Sequence, residues 1–391
     1  MSCKEVKLGD IVELITKGTT PTTIGGAFAN KGIGFVRAQN IINGKISFEK
    51  DSLFIDAKTN LLLKRSQIKS GDVLIAIAGT IGRVGIVQDE FEMLNCNQAV
   101  AIIRVGEKIH NKFLMHWLNS QNAISQIKSV VVTGVISNLS LSQIANLKIP
   151  LPPLEEQKRI AAILEKANEI KAKRELALAK LDELEQNLYD ELIQHSNKFG
   201  KEKLKKYLLK VNNCSPIKTY GDQEITYIDI GCIDNKLKKI TNPKILDSAN
   251  SPSRARQVLI KGDILVSTVR PNLNAVAQVE KDYLNLIGST GFCVLRCGSN
   301  ISDSFLFSVV KSKNFIKEMN KLATGASYPA VSDSIIMDYE IPVPPIDVQN
   351  DYAKKINSIK KITSHFISQI ERMEKNISSL QNQAFTTGFN A

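Results

Sequence analysis

The chain has 391 residues, of which 43% are hydrophobic and 23% charged, and it carries a formal net charge of +12. This length allows two or three domains that each bury a hydrophobic core. The sequence shows no apolar run near the roughly 18 to 20 residues of a membrane span, and charges occupy the amino-terminal stretch where a secretory signal needs an apolar core. We therefore expect a cytoplasmic protein with no membrane association.

The positive charge falls in two separate blocks. Residues 1–150 carry a net charge of +6 and residues 198–346 carry +7, whereas residues 155–197 carry −3. Two basic blocks favour a polyanionic partner such as DNA. The six cysteines are too scattered for a disulfide framework or a zinc site, so we expect reduced thiols and no bound metal.

The first predicted domain, residues 1–152, contains short apolar strands separated by turns rich in glycine and polar residues. Its loops offer basic groups for phosphates and amide, hydroxyl or guanidinium groups for base edges. The candidate DNA-binding residues of this domain are Lys17, Thr19, Thr20, Thr22, Arg37, Gln39, Asn40, Arg83, Asn95, Asn97 and Gln98. Each can instead cap a turn or satisfy a strand end. Arg104, at the end of an apolar strand, is expected to be structural.

A proline-rich connector, Ile149-Pro-Leu-Pro-Pro153, closes this domain because closely spaced prolines cannot lie inside a helix. In residues 153–198 apolar side chains then recur at alternating steps of three and four, which is the heptad pattern of a coiled coil. The predicted seam of this first long helix consists of Ile160, Ile163, Ile170, Leu181, Leu184 and Leu188.

The second half repeats this order at an offset of about 192 residues. The turn at Gly71-Asp72 recurs at Gly262-Asp263, and the connector recurs as Ile341-Pro-Val-Pro-Pro345. Residues 199–344 therefore predict a second, similar α/β domain, and residues 345–391 a second long helix. The candidate DNA-binding residues of the second domain are Lys218, Thr219, Tyr220, Arg270, Asn272, Asn274 and Tyr328. The seam of the second helix consists of Ile356, Ile359, Phe366, Ile370, Ile377 and Leu380.

The two helices can pack on their own domains or on each other. Because a helix of this length cannot bury its stripe alone, we favour pairing. The expected fold is α+β: two similar globular α/β domains joined by two long helices that form an antiparallel coiled coil, with pseudo-two-fold symmetry. Between the copies the scaffold repeats while the loops differ, as two readers of different sequences would require.

Motifs for catalysis are missing from the sequence. It contains no H-E-x-x-H or G-x-S-x-G, and the glycine-rich segment Gly79–Gly85 lacks the Gly-Lys-Ser/Thr ending of a nucleotide-binding loop. Neither Pro-Pro pair fits the Asn/Asp-Pro-Pro-aromatic tetrad of a base-flipping methyltransferase. We therefore expect a non-catalytic chain that directs an enzyme.

The chain resembles, over nearly its whole length, the specificity subunit of type I restriction-modification systems. The resemblance rests on the doubled order of domain, connector and helix, and on a set of short motifs. These are Gly18-Thr-Thr-Pro21, Gly71-Asp-Val-Leu74, Gly79-Thr-Ile-Gly82, Asn97-Gln98, Thr133-Gly134 with Leu139-Ser140, and Ile149-Pro-Leu-Pro-Pro-Leu-Glu-Glu-Gln157. The second copy has drifted: Asp347-Val348-Gln349 stands for Glu155-Glu156-Gln157, and the Gly-Thr-Ile-Gly loop is absent.

This resemblance implies two target recognition domains, each reading one half of a split double-stranded DNA site. It also implies that the helices fix the spacing of the half-sites and dock two methyltransferase subunits, with restriction subunits as optional partners. S-adenosylmethionine, ATP and Mg would then serve the partners, and no cofactor would bind this chain. The alternative is a coiled-coil interaction or regulatory protein with generic nucleic-acid binding, and the missing motifs disfavour an autonomous methyltransferase.

Overall fold

A computed structural model describes residues 4–48, 52–130, 138–325 and 327–386. Thr133 and Gly134 of the motif above lie outside these ranges. The chain divides into two compact units, Met1–Glu175 with Ser368–Ala391, and Leu176–Ile367. In the described ranges, no helix combines the length and the apolar character needed to span a membrane.

The first unit holds the first repeat. Its strands are β1 (Glu5–Lys7), β2 (Val12–Lys17), β3 (Phe28–Ala29), β4 (Ile33–Val36), β5 (Ile41–Ile42), β6 (Gly44–Ile46), β7 (Leu53–Ile55), β8 (Val73–Ala76), β9 (Val84–Ile86), β10 (Leu94–Cys96), β11 (Val100–Val105) and β12 (Lys148–Pro150). Its helices are α1 (Ala57–Leu62), α2 (Asn111–Leu118), α3 (Gln121–Val130) and α4 (Leu141–Ala145). It also contains the first part of α5, a long helix whose full range is Leu154–Ser196. The strands form sheets in the orders β2-β11-β8-β9-β6-β5, β10-β4-β7-β3 and β1-β12.

Strands β8 and β11 lie at the centre of this unit and are covered on both faces. Val73 and Ile75 of β8 belong to a buried cluster with Trp117 of α2. Leu74, between them, belongs to a second cluster with Val36 of β4. Since successive side chains of a strand point to opposite faces, covering both faces selects a continuous apolar run rather than alternation.

The second unit holds the second repeat. Its strands are β13 (Lys201–Lys203), β14 (Leu208–Leu209), β15 (Glu224–Ile228), β16 (Ile233–Asp234), β17 (Lys239–Ile240), β18 (Lys244–Asp247), β19 (Ala255–Val258), β20 (Ile264–Ser267), β21 (Val276–Gln278), β22 (Leu286–Ser289), β23 (Phe292–Cys297) and β24 (Glu340–Pro342). Its helices are α6 (Pro216–Tyr220), α7 (Asp303–Lys311), α8 (Lys313–Leu322) and α9 (Asp333–Met337). It also contains the first part of α10, a long helix whose full range is Ile346–Thr386. The sheet orders are β14-β23-β20-β21, β18-β15-β22-β19, β16-β17 and β13-β24.

The strand pairing confirms the internal repeat that the sequence predicts. In both units the strand after the Gly-Asp turn pairs antiparallel with a six-residue strand, β8 with β11 and β20 with β23. In both units a second sheet contains one parallel strand pair, β4 with β10 in the first unit and β15 with β22 in the second. The two α/β domains therefore share one scaffold.

In the first unit, the beginning of α5 packs antiparallel against the end of α10. Lys171 Nζ lies 2.7 Å from Glu374 Oε1. Leu164, earlier in α5, shares a buried cluster with Ala384 and Phe385, later in α10. In the second unit, Tyr189 of α5 and Ile356 of α10 share one buried cluster. Helix pairing within each unit therefore closes a domain core.

The buried face of α10 follows the predicted seam, but that of α5 differs from it. Ile356, Ile359 and Ile370 are buried, and the other seam residues of α10 are half-buried: Phe366, Ile377 and Leu380. On α5, Ile160 is buried, and Ile163, Leu181 and Leu188 are half-buried.

Two predicted seam residues of α5 lie outside its buried face. Ile170 is 38% exposed and Leu184 is 45% exposed. Each is followed by a polar residue that turns inward and forms an ion pair, Lys171 with Glu374 and Glu185 with Lys311. Because α5 also packs on the first domain through Leu164 and on the second through Tyr189, its contact face differs from the ideal heptad seam.

Candidate nucleic-acid interface

The candidate residues of the first domain gather where its strands end. Strands β4 and β10 run parallel with Val36 opposite Cys96, so Arg37 and Asn97 leave the sheet at the same edge. The backbone N–H of Asn97 donates to the carbonyl of Val36 at 3.2 Å. Lys17 ends β2 beside these loops, since Thr19 N donates to the Cys96 carbonyl at 3.2 Å.

Gly18 permits this close approach of two backbones. A Cβ at this position would lie 1.9 Å from the Cys96 carbonyl oxygen, so no other residue fits here without moving the loop. The approach brings the Thr20 hydroxyl to the Gln98 side chain, with 2.5 Å between Oγ1 and Oε1. Two candidates 78 residues apart in sequence are thus in contact on the surface.

The glycine-rich loop after β8 leaves at the same edge. Ile77 N donates to the Ala99 carbonyl at 2.8 Å, which places the start of the loop beside Gln98. Gly79 and Gly82 both have left-handed backbones, with φ of 72° and 90°. Lys17, Thr22, Gln39, Arg83 and Gln98 are exposed, and Thr19, Thr20, Arg37 and Asn97 are partly exposed. We call the segments 17–22, 37–39, 79–83 and 97–98 the first loop edge.

Two candidates of the first domain are enclosed. Asn95 is fully buried: its Nδ2 donates to Asn60 Oδ1 at 2.8 Å, and its Oδ1 accepts from Ser66 Oγ at 2.7 Å. Asn40 is 5% exposed, and its amide holds the turn between Arg37 N and the Ser47 carbonyl. These two buried amides stabilise the loops through hydrogen bonds. They are not part of the first loop edge.

In the second domain, Arg270 and Tyr328 meet at the corresponding edge. Thr268 N, after β20, donates at 3.0 Å to the carbonyl of Gly291, just beyond the carboxyl end of β22. The Arg270 guanidinium carbon lies 4.7 Å from the centre of the Tyr328 ring. Asn272 is exposed in the same loop. We call the segments 270–273 and 327–328 the second loop edge.

The remaining candidates of the second domain lie elsewhere. Lys218 and Thr219 are exposed on α6, which adjoins the amino end of β15, since Gln223 N donates to the Tyr220 carbonyl at 3.2 Å. Tyr220 packs against the core, and burial raises the pKa of its hydroxyl. Asn274 is 7% exposed, and its Nδ2 donates to the Val310 carbonyl at 2.9 Å.

Sequence reasoning missed two buried glutamines that tie the long helices to the domains. Gln157 Oε1 accepts from His110 N at 2.8 Å, and Gln157 Nε2 donates to the Pro152 carbonyl at 2.9 Å. Gln349 repeats this in the second domain with Ser302 N at 2.8 Å and the Pro344 carbonyl at 2.8 Å. The available signal was that this glutamine persists after both connectors while the two residues before it change.

Among the residues that the structure describes, no cluster of three or more His, Cys, Asp or Glu side chains is placed to hold a metal ion. The thiols of Cys96, Cys214, Cys232, Cys293 and Cys297 are free. Burial raises the pKa of Cys96 and of Cys293, and that of Cys297 to about 12. These three thiols are therefore protonated near neutral pH and are poor nucleophiles.

Comparison with known proteins agrees with this arrangement. The sequence matches the family model of the type I restriction modification DNA specificity domain twice, over residues 2–186 and 208–372. The StySPI specificity subunit of a type I restriction enzyme from Salmonella potsdam is 22% identical, over 90% of this chain and 81% of that protein.

Two solved structures share the fold. A chain from a study of complex assembly and conformational transition of the type I R-M system has a TM-score of 0.58 and 18% identity, covering 98% of this chain and 97% of that one. The type I restriction-modification S subunit from M. genitalium has a TM-score of 0.57 and 15% identity, covering 98% of this chain and 96% of that one.

Proposed function

Because the chain belongs to the family of type I restriction-modification DNA specificity proteins, we propose that each of its two domains reads one half of a bipartite double-stranded DNA site. The chain is the subunit that sets DNA sequence specificity. One observation carries the proposal for two half-sites: the scaffold repeats, yet corresponding edges present different groups. Thr20 and Gln98 meet at the first loop edge, and Arg270 and Tyr328 meet at the second.

The first loop edge combines the two kinds of group that DNA recognition needs. Exposed Lys17 and Arg83 suit phosphates, which fix the register of a protein on the duplex. Exposed Gln39 and Gln98 carry amides, which can form paired hydrogen bonds with an adenine edge. The fixed turn at Gly18 supports this role, since it holds the polar side chains on a rigid scaffold.

The long helices fix the spacing of the half-sites and dock the methyltransferase subunits in this proposal. Each unit uses its parts of α5 and α10 to close a domain core, so the helices are integral to both domains. Leu176 and Leu184 of α5 and Ile362 of α10 are 58%, 45% and 47% exposed, and a partner surface would cover them. Residues 1–152 and 199–344 would be the recognition domains, and residues 153–198 and 345–391 the spacer helices.

Catalysis belongs to partner chains in this account. Two methyltransferase subunits would use S-adenosylmethionine, and restriction subunits, where present, would use ATP and Mg. Since the ligand is cellular DNA, we propose a cytoplasmic complex.

Competition binding separates this function from generic nucleic-acid binding. The full chain with its methyltransferase partners would be bound to a labelled duplex carrying the bipartite site and challenged with scrambled DNA at rising salt. Because salt weakens phosphate contacts, a specific reader should keep at least a 10³-fold preference for its site. Equal competition by scrambled DNA at every salt concentration would contradict the proposal.

A further inference from the structure

We propose that Arg270 reads a guanine in the half-site of the second domain and that Tyr328 holds its guanidinium for that contact. This inference rests on the function proposed above, and it names the base that the second loop edge takes. It depends on three features of the loop: a strained and pinned backbone, an exposed aromatic partner, and an arginine without a carboxylate partner.

The backbone of the loop from Arg270 to Asn274 has a strained conformation at both ends. Arg270 has φ 49° and Asn274 has φ 45°, both in the left-handed region that residues with a Cβ rarely adopt. Such strain persists only where surrounding structure over-determines it, and it concentrates at functional sites. Here Arg270 N donates to the Pro329 carbonyl at 2.7 Å, and Asn274 Nδ2 donates to the Val310 carbonyl at 2.9 Å. The loop is therefore pinned at both ends.

Tyr328 lies close in sequence to two residues whose backbones are hydrogen-bonded to each other. Thr324 and Ala330, on either side of Tyr328 in the sequence, exchange two backbone hydrogen bonds, each 2.9 Å long. Gly325 has φ 99°, and a Cβ there would lie 2.9 Å from the Tyr328 carbonyl oxygen. Tyr328 is 70% exposed, so its ring lies on the surface where a ligand can reach it.

The Arg270 guanidinium contacts an aromatic ring but forms no ion pair with a described carboxylate. Its central carbon lies 4.7 Å from the Tyr328 ring centre, a distance at which cation and ring attract each other. In the same domain, Arg296 donates two hydrogen bonds to Asp263. Arg270 forms no ion pair with a carboxylate in the described ranges of the chain, so its planar set of donors remains available on the surface.

Guanine is the base that this group matches. Its major-groove edge presents two acceptors, O6 and N7, that pair with the forked donors of one guanidinium. A lysine ammonium lacks this planar fork, although it binds phosphate well. Replacement of Arg270 by lysine therefore separates base reading from a phosphate contact.

The test maps methylated sites in cells that express the full chain with its methyltransferase partners. We expect Arg270→Lys to relax one guanine position in one half-site by about ten- to a hundred-fold, since lysine cannot form the same pair of hydrogen bonds with the guanine edge. Tyr328→Phe keeps the ring and should leave the site unchanged, whereas Tyr328→Ala should relax the same position. Arg65→Lys, at an exposed arginine of the first domain outside the first loop edge, is the matched control and should leave every position of the site unchanged.

The outcomes distinguish this inference from the function on which it rests. If Arg270→Lys and Tyr328→Ala both keep every position of a bipartite site, Arg270 contacts phosphate or nothing, and the guanine reading is wrong. If the unaltered chain yields no bipartite site, the proposed function itself fails. An unchanged first half-site in each variant shows that the protein is folded and assembled.

Discussion

Arg104 donates two hydrogen bonds to the buried carboxylate of Asp72, from Nε to Oδ1 at 2.9 Å and from Nη2 to Oδ2 at 2.7 Å. Arg296 does the same to Asp263 in the second domain, at 2.8 and 2.7 Å. Each aspartate also accepts a backbone N–H at 2.8 Å from the residue three positions earlier. The Gly-Asp turn of both repeats is thus a fixed corner of the scaffold, and the carboxylate raises the pKa of each arginine.

Removal of this carboxylate should destabilise the first unit. Asp72 is 2% exposed, and Asp72→Ala leaves Arg104 and the turn N–H without their acceptor, at a cost of about 2–4 kcal/mol. Trp117, the sole tryptophan, is buried in this unit, so urea unfolding followed by its fluorescence reports the loss. Exposed Asp89→Ala is the control. A loss below about 0.5 kcal/mol for Asp72→Ala would show that the pair does not support the fold.

Acid should weaken the first unit through His116. Burial lowers the pKa of this histidine to about 4, against about 6.5 in an unfolded chain. Between these values the unfolded state binds a proton that the native state does not, so stability is complete above about pH 6.5 and falls toward pH 4. The expected loss is on the order of 2–3 kcal/mol, measured by urea unfolding at several pH values. His116→Leu should flatten this slope, while exposed His195→Gln should keep it. An unchanged slope in His116→Leu would assign the acid sensitivity to other groups.

The packing of α10 predicts different effects for two isoleucines of the same helix. Ile356 is fully buried in the core of the second unit, whereas Ile362 is 47% exposed. Ile356→Ala should cost about 2–5 kcal/mol because it leaves a cavity, and Ile362→Ala less than about 1 kcal/mol. Circular dichroism during thermal unfolding measures both. Similar losses in the two variants would contradict the packing described for α10.

The connector glutamines predict a local change in amide exchange. Gln349→Leu removes the acceptor of the Ser302 N–H, so exchange of that amide should become faster. The matching His110 N–H in the first domain is bound by Gln157 and should be unaffected. Hydrogen exchange with mass spectrometry on peptides that cover each amide compares the two. Equal protection of Ser302 before and after the substitution would rule out this anchoring role.

The first loop edge predicts two kinds of binding defect. Lys17→Ala should weaken binding to all DNA sequences alike and reduce the slope of log affinity against log salt by about 1, because it removes a phosphate contact. Gln98→Ala should instead relax a position of one half-site. Salt titrations with a randomised duplex library separate the two effects. A base preference lost in Lys17→Ala, or kept in Gln98→Ala, would reverse these assignments.

Much of the architecture could be predicted from the sequence because its signals are local. Prolines at 150, 152 and 153 exclude a helix at those positions, and apolar residues at alternating steps of three and four predict a helix after them. Repetition of both signals revealed two copies of one scaffold. Helix pairing was predictable for the same reason, since a long apolar stripe requires a partner.

Positions that depend on long-range contacts were not predictable. Asn95 and Gln98 are similar amides three residues apart, yet one is enclosed by Asn60 and Ser66 and the other reaches Thr20 at the surface. Ile170 fits a heptad, but the contact of α5 with its own domain turns Lys171 inward instead. Tertiary packing decides which of two similar neighbours is exposed.

Exchange of one domain tests the central claim most directly. Residues 1–150 would be replaced with those of another family member, and methylated sites would be mapped in cells that also express the methyltransferase partners. The account predicts a bipartite site in which one half changes while the other half and the gap between them stay the same. A continuous site, or a site that survives the exchange unaltered, would contradict the claim that each domain reads its own half.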